Sequence, residues 1–464
     1  MSKKNELHAS KHLHPIHTNH VSLNLNVRGL ARSATVAINE LSNRLRLEGR
    51  TVYKLGLGQS PFPVPECVVE RLRQNAHQKD YLEVQGLKAL REAVAGFHQR
   101  SDGIRVDPDL VIVGPGSKEL MFLLQVAYYG DLIIPTPCWV SYAPHAQIVG
   151  HKVQFVPTRF EDRFRLLPKT LDQICAADPG RPRAVILNYP NNPDGLSYSD
   201  KELKKLAAVA RKYELILLSD EIYGKIHHDG NHVSVARYYP EGTILSSGLS
   251  KWCGAGGWRL GTFAFPPSLR WLMEAIASLA SETFTSTSAP IQYAAVRAFE
   301  GGKEIDDYLV HVRRILKALG QHITACLREA GARLHDPEGA FYVFPDFTPI
   351  ADKLAARHIH TSQDLCRRAL EEVGVAFLPG SDFGRPPAEL TARIAYVDFD
   401  GAPALTVALA QAPDTPVDEA FLREYCANTM AAVDRLCRWI LEKPSRRRRS
   451  STSTETPREI SYGK

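Results

Sequence analysis

Lys251 stands in the stretch Ser246-Ser247-Gly248-Leu249-Ser250-Lys251-Trp252-Cys253-Gly254-Ala255-Gly256-Gly257-Trp258-Arg259, with small residues on both sides and an arginine eight positions on. The preceding Thr243-Ile244-Leu245 reads as the end of a buried strand, and the small residues leave room for a ligand against the backbone. A lysine held there is desolvated, which lowers its pKa and makes the neutral amine a nucleophile toward an aldehyde. Pyridoxal 5'-phosphate (PLP) is the cofactor that uses such an amine, and Arg259 offers a fixed cationic fork for its phosphate. A Gly-rich turn carrying a solvated lysine is the other reading of the same residues, and this stretch alone leaves both open.

Other chemistry-bearing residues fall where apolar strands end. Val111-Ile112-Val113 runs into Gly114-Pro115-Gly116-Ser117-Lys118 and then a helix to Ala127, so the amides of Ser117 and Lys118 and the Ser117 hydroxyl face an anion. Strand, Gly-rich turn and helix also recur in ordinary α/β proteins. Leu132-Ile133-Ile134 leads to Pro135-Thr136-Pro137-Cys138-Trp139-Val140-Ser141-Tyr142, where Trp139 is either a stacking platform or core. Val185-Ile186-Leu187 leads to Asn188-Tyr189-Pro190-Asn191-Asn192-Pro193-Asp194-Gly195, and Leu215 to Leu218 leads to Ser219-Asp220-Glu221-Ile222-Tyr223. Asp220 is there either a helix cap or a partner for a protonated ring nitrogen.

These strands alternate with helices from about residue 110 to 265, which predicts a mainly parallel sheet covered on both faces. Before it, a helix is expected from a Ser33 cap through Val36, Ile38, Leu41 and Leu45, then a short strand over Val52 to Leu57. Another helix is expected from Leu87 through Val94. Residues 303 to 330 read as one long helix, and strands are expected at Ala340 to Pro345 and Thr391 to Tyr396.

At 464 residues, with 44% hydrophobic and 23% charged residues, the chain has the size and composition of a globular enzyme with more than one domain. No apolar run approaches membrane-spanning length and the N-terminus lacks a secretory core, so a cytoplasmic protein is expected. The eight cysteines show neither metal-ligand nor disulfide spacing, and no metal site is expected. The net charge of +6 belongs to the ends, where Lys443, Arg446 to Arg449, Arg458 and Lys464 outnumber Glu455 and Glu459. The Arg446 to Arg449 run lacks interleaved aromatics, so nucleic-acid binding is not expected. A mobile arm is expected over residues 1 to 28, with His8, His12, His14, His17 and His20, and a disordered tail over 442 to 464.

Taken in order, these motifs resemble the class I and II aminotransferases of PLP fold type I, closest to the aspartate and prephenate branch, over about residues 28 to 441. The Pro-Cys-Trp-Val-Ser-Tyr stretch and Arg32-Ser33-Ala34-Thr35-Val36-Ala37 carry the likeness to that branch. The resemblance implies an α/β fold: a large PLP-binding domain over 61 to 302, and a smaller α+β domain built from 29 to 60 and 303 to 441. It makes Lys251 the Schiff-base lysine and proton carrier, and Asp220 the partner of the pyridinium nitrogen. Asn192 and Tyr223 would bond the ring oxygen, with Trp139 stacked on the ring. Gly116, Ser117, Lys118, Ser250 and Arg259 would form the phosphate site, with Tyr81 reaching across from a second subunit of a homodimer. Arg393 and Gly58 would hold the substrate α-carboxylate, and Arg32 is the candidate for a distal carboxylate. Gly248 departs from a serine found in some branches, so Ser250 or Ser247 would have to replace that hydroxyl.

The expected function is a ping-pong aminotransferase moving an amino group from an L-amino acid, aspartate-like by preference, to a 2-oxo acid. A PLP-dependent carbon–sulfur lyase and a PLP-binding regulator without enzymatic activity are the alternatives.

Overall fold

The computed structural model describes residues 23 to 442; the five N-terminal histidines named above and the Arg446 to Arg449 run lie outside the described residues. Twelve strands are present among them: β1 (Tyr53–Lys54), β2 (Val111–Gly114), β3 (Asp131–Thr136), β4 (Val153–Pro157), β5 (Arg183–Asn188), β6 (Ile216–Asp220), β7 (Thr243–Gly248), β8 (Gly261–Ala264), β9 (Tyr342–Val343), β10 (Val375–Ala376), β11 (Leu378–Pro379) and β12 (Ala392–Ala395). Seven of them form one sheet in the order β2-β8-β7-β6-β5-β3-β4. Its pairings are parallel from β4 through β7, while β8 runs antiparallel to both β7 and β2.

Side-chain alternation explains why these strands are apolar throughout. Ile186, Leu218 and Ile244 enter a core with the helices Ser117–Ala127 and Arg270–Thr283, whereas Val185, Leu187 and Leu217 enter another with the helix Asp200–Lys212. Every strand residue is buried in β2, β6, β7 and β8. The register then aligns polar residues at the strand ends: Asn188 lies opposite Asp220, and Asp220 opposite Ser246. Ligands on open α/β sheets bind at that edge.

The smaller sheet has the order β11-β12-β9 and is antiparallel. β1 pairs in parallel with β10, so chain from before the large sheet joins chain from after it. The long helix is Lys303–Glu329, with a buried stripe from Ile305 to Leu327 spaced by three and four residues.

Several expectations need correction. Thr243 opens β7 rather than closing a strand, because the strand continues through the buried Ser246, Ser247 and Gly248. The helix begun near Leu87 runs to Asp102, where left-handed Gly103 caps it. Ser33 occupies the N-cap position of Ala34–Leu47 without a side-chain capping bond; its hydroxyl meets that of Thr35 at 3.0 Å instead. The part of the expected mobile arm that is described, residues 23 to 28, has a short 3-10 turn at Leu25–Val27, and Asn26 Nδ2 donates to the Ile148 carbonyl at 3.1 Å. That bond ties it to the body of the protein.

Three glycines lie side by side at the end of the sheet: Gly114 pairs with Gly261, and Gly261 with Gly248. A Cβ on Gly261 would fall 2.0 Å from the Ser117 amide nitrogen, so the helix N-terminus rests on bare backbone. Gly261→Ala must therefore push that helix off the strand. We expect a loss of about 2 kcal/mol or more from overpacking, read as a lower thermal midpoint, together with weakened phosphate-group binding; an unchanged midpoint would refute the contact.

Candidate active site

The strand ends and the loops after them surround a cavity of about 330 Å³. Eleven residues expected from the sequence line it: Gly58, Ser117, Lys118, Trp139, Asn192, Asp220, Tyr223, Ser250, Lys251, Arg259 and Arg393. They come from positions as far apart as 58 and 393, so the fold and not the local chain assembles them.

Lys251 follows β7 and its Nζ donates to the Gly58 carbonyl at 2.7 Å. Desolvation pushes its amine down to about 8, aided by the charges of Arg393, Arg259 and Lys118 and opposed by Asp220. Asp220 ends β6, buried, and accepts a hydrogen bond from Tyr142 Oη at 2.5 Å. Burial lifts its carboxyl to about 6, with the Tyr142 hydroxyl and the Ile222 amide opposing the rise. A buried acid and an amine with displaced pKa values thus share one cavity, as acid-base chemistry near neutral pH requires.

The cations are held without being neutralised. Arg393 is 1% exposed, packed between the rings of Tyr342 and Phe383 at 4.8 and 5.1 Å. It donates to the Gly56 carbonyl and, at 3.2 Å, to Asn192 Oδ1, while its Nε is buried without a partner. Among the described residues no carboxylate pairs with it within 4.0 Å, and desolvation lowers its pKa. Arg259 sits in the left-handed region at φ 56°, donating to the carbonyls of Gly256 and Pro115 at 2.9 and 3.2 Å. A non-glycine residue there stores strain of about 1 kcal/mol. The conformation aims the guanidinium at the Gly116 turn, where a Cβ would fall 2.2 Å from its Nη2. Lys118 Nζ lies 5.1 Å over the Trp139 ring, its pKa lowered by desolvation and then by Arg259.

These residues fit pyridoxal phosphate. The first amides of Ser117–Ala127 have no carbonyl within the helix to bond. With the hydroxyls of Ser117 and Ser250 and the charges of Arg259 and Lys118, they form an anion cradle whose crowding only Gly116 and Gly261 permit.

The remaining expected residues stand elsewhere. Gly116 shapes the cradle from behind without lining the cavity. Arg32 is outside this chain's cavity, exposed and paired with Glu40 at 3.3 Å, whereas Thr35, in the first turn of the helix Ala34–Leu47, lines it. Tyr81 is 89% exposed and does not line this chain's cavity. Ser250 lines it, whereas Ser247 faces a separate space behind the strand.

Sequence reasoning missed Tyr142, Asn188 and Tyr342. Tyr142 follows Trp139 by three, a spacing that puts both on one side of a helical turn, and the rings meet edge to face at 5.3 Å. Asn188 Nδ2 donates to the Asp220 carbonyl at 2.9 Å, and its Oδ1 accepts from the Asn192 amide at 2.8 Å. Tyr342 Oη meets Tyr223 Oη at 2.8 Å and would collide with a Cβ on Gly58. Nothing local in Ala340-Phe341-Tyr342 marks it.

The model of the family "Aminotransferase class I and II" matches residues 50 to 408. An aspartate aminotransferase of Geobacillus stearothermophilus is 34% identical over 374 residues, 78% of this chain and 91% of that protein. An aspartate/prephenate aminotransferase of Thermus thermophilus is 33% identical over 367 residues, 78% of this chain and 91% of that protein. The solved structure of the Thermus thermophilus aspartate aminotransferase with maleate superposes with a TM-score of 0.76 at 30% identity, covering 90% of this chain and 99% of that one.

The depressed Lys251 value has a direct test. Its neutral amine prevails above about pH 8, a range in which surface lysines, with pKa values of about 10.4, remain protonated. Reductive methylation of the cofactor-free protein across a pH series should modify Lys251 with a midpoint near 8. Mass spectrometry showing it titrating with surface lysines would overturn the assignment.

Proposed function

The chain belongs to the class I and II aminotransferases and is a PLP-dependent transaminase; from that premise we propose that it carries an amino group from an aspartate-like L-amino acid to a 2-oxo acid, with Lys251 and Asp220 as its proton-handling groups. The observation that carries this reading is the pairing of a lowered lysine and a raised aspartate in one cavity with a surplus of positive charge.

When bound, pyridoxal phosphate supplies a sink for the electron pair left on the substrate α-carbon as its proton departs. Lys251, in its neutral form, would take that proton from the α-carbon and deliver it to the cofactor carbon joined to the amino nitrogen, and would carry it back in the second half-reaction. Asp220 holds a proton on the ring nitrogen through a charge-assisted bond, and Tyr142 and Asn188 fix the carboxylate and its backbone. Trp139 covers one face of the ring, and Asn192 and Tyr223 donate to its oxygen. Gly116, Ser117, Lys118, Ser250 and Arg259 hold the phosphate. Arg393, with the Gly58 backbone beside it, would take the substrate α-carboxylate in a two-point fork, and the rings of Tyr342 and Phe383 on either side fix the orientation of that planar fork.

Lys118, Lys251, Arg259 and Arg393 line the cavity with a single carboxylate, Asp220, which suits an anionic cofactor and an anionic substrate. Thr35 is the residue of the N-terminal segment that lines the cavity, and we propose it as a neighbour of a distal carboxylate. The aspartate aminotransferases among its relatives support an aspartate-like donor. We further propose a homodimer in which Tyr81, exposed here, completes the phosphate site of a second copy. No helix among the described residues is long and apolar enough to cross a membrane; a cytoplasmic location is a further part of the proposal.

Incubation with L-aspartate and 2-oxoglutarate should yield oxaloacetate and glutamate. Lys251→Ala should lower the rate by about 10³-fold or more, the upper range for loss of a positioned acid-base group. Arg393→Ala should raise KM about 10- to 100-fold, the scale of a lost charge-assisted pair. Pyruvate and ammonia formed without any oxo acid would overturn the transamination reading.

A further inference from the structure

Asp220 and Glu221 are neighbours that face opposite ways. Asp220 points into the cavity described above, while Glu221 lines a separate small one of about 40 Å³, together with His98, Asp102, Lys225, His232 and Arg313. Glu221 is buried, and four side chains bond its carboxylate. Oε1 accepts from Ser219 Oγ at 2.6 Å, Ser234 Oγ at 2.5 Å and Tyr189 Oη at 3.3 Å; Oε2 accepts from His232 Nε2 at 3.0 Å. A buried carboxylate so satisfied fixes its own backbone, because every departure strands a charge in low dielectric.

His232 is itself locked. Its ring packs on Tyr189 at 5.3 Å, and a Cβ on Gly224 would fall 2.9 Å from its Cδ2. Tyr189 Oη also accepts from the Val235 amide at 2.8 Å, and the Glu221 amide donates to the Ser246 carbonyl at 3.0 Å. The network therefore joins β5, β6, β7 and the 232–235 loop directly behind Asp220.

We propose that Glu221 and His232 are a positioning pair for Asp220: His232 keeps the Glu221 carboxylate compensated, which fixes the end of β6 and sets the charge that Asp220 feels from behind. The proposal rests on the reading that Asp220 partners the cofactor ring nitrogen. Glu221 follows Asp220 directly in the chain, and its charge raises the Asp220 proton affinity in addition to burial. Lys251, Tyr142 and Tyr223 face Asp220 on the cavity side; His98, Asp102, Lys225, His227, His232 and Arg313 surround Glu221 or its partner behind. Of these, His232 alone bonds the Glu221 carboxylate among the described charged or titratable groups other than Tyr189. Loss of His232 leaves the Glu221 charge less compensated, so Asp220 keeps its proton to higher pH. Loss of the Glu221 charge acts the other way.

The test measures cofactor affinity of the reconstituted protein by fluorescence titration across pH, together with the acid limb of kcat/KM for transamination, in H232A, E221Q, the double variant and D220N. In H232A the acid limb should move up by about one pH unit, the scale of one neighbouring charge, with cofactor affinity about tenfold weaker below that limb. In E221Q the limb should move down, and the double variant should follow E221Q. A double variant that follows H232A, or limbs unmoved in both single variants while D220N loses affinity and activity, would overturn the pair. Should H232A not accumulate as folded protein, E221Q and the double variant carry the test: coincident limbs support the pair and separated limbs refute it. D220N with wild-type affinity and rate would instead remove the underlying reading of Asp220.

Discussion

Everything in this cavity depends on holding positive charge at the sheet edge without cancelling it. Lys251, Arg259 and Arg393 are oriented by carbonyl oxygens, those of Gly58, Pro115, Gly256 and Gly56, and Arg393 in addition by two aromatic faces. Carbonyl dipoles and ring quadrupoles steer a cation at little electrostatic cost, while a buried carboxylate would consume its charge. The cations therefore keep their affinity for phosphate and carboxylate. Their mutual repulsion does further work, because Arg393, Arg259 and Lys118 help to drive the proton off Lys251.

The single acid facing that field is insulated by the opposite device. Asp220 receives the Tyr142 hydroxyl, and the carboxylate behind it, Glu221, is wrapped in hydroxyls and an imidazole. Two adjacent buried carboxylates would be costly on one side of a strand. Strand alternation sends them to opposite faces, where each has its own donors. The parallel sheet then acts as the spacer between a reacting cavity and a supporting network.

Backbone proximity is the third element. Gly114, Gly261 and Gly248 run in register across three strands, and Gly116 and Gly58 lie where an arginine and a tyrosine come close. A phosphate cradle made of amides needs the chain itself to approach the ligand. Side chains at these positions would fill the space that the helix N-terminus, Arg259 and Tyr342 occupy.

The sequence by itself determined the alternation of apolar strands and helices, and with it the sheet, because burial on two faces demands uninterrupted apolar runs such as Val185-Ile186-Leu187. It also singled out Lys251, Asp220 and Arg259 as candidates for chemistry, since a charged group beside such a run or within small residues needs either solvent, a cap position or a ligand to compensate it. Only the tertiary structure decided which side chains reach the cavity. Arg32, just before the helix Ala34–Leu47, pairs with Glu40, while Thr35 in its first turn points inward. Tyr342, more than a hundred positions from Tyr223, meets it because the antiparallel β9 and β12 bring that strand, with Arg393, over the cavity. Such contacts depend on the packing of distant elements, and local patterns of polarity carry no trace of them.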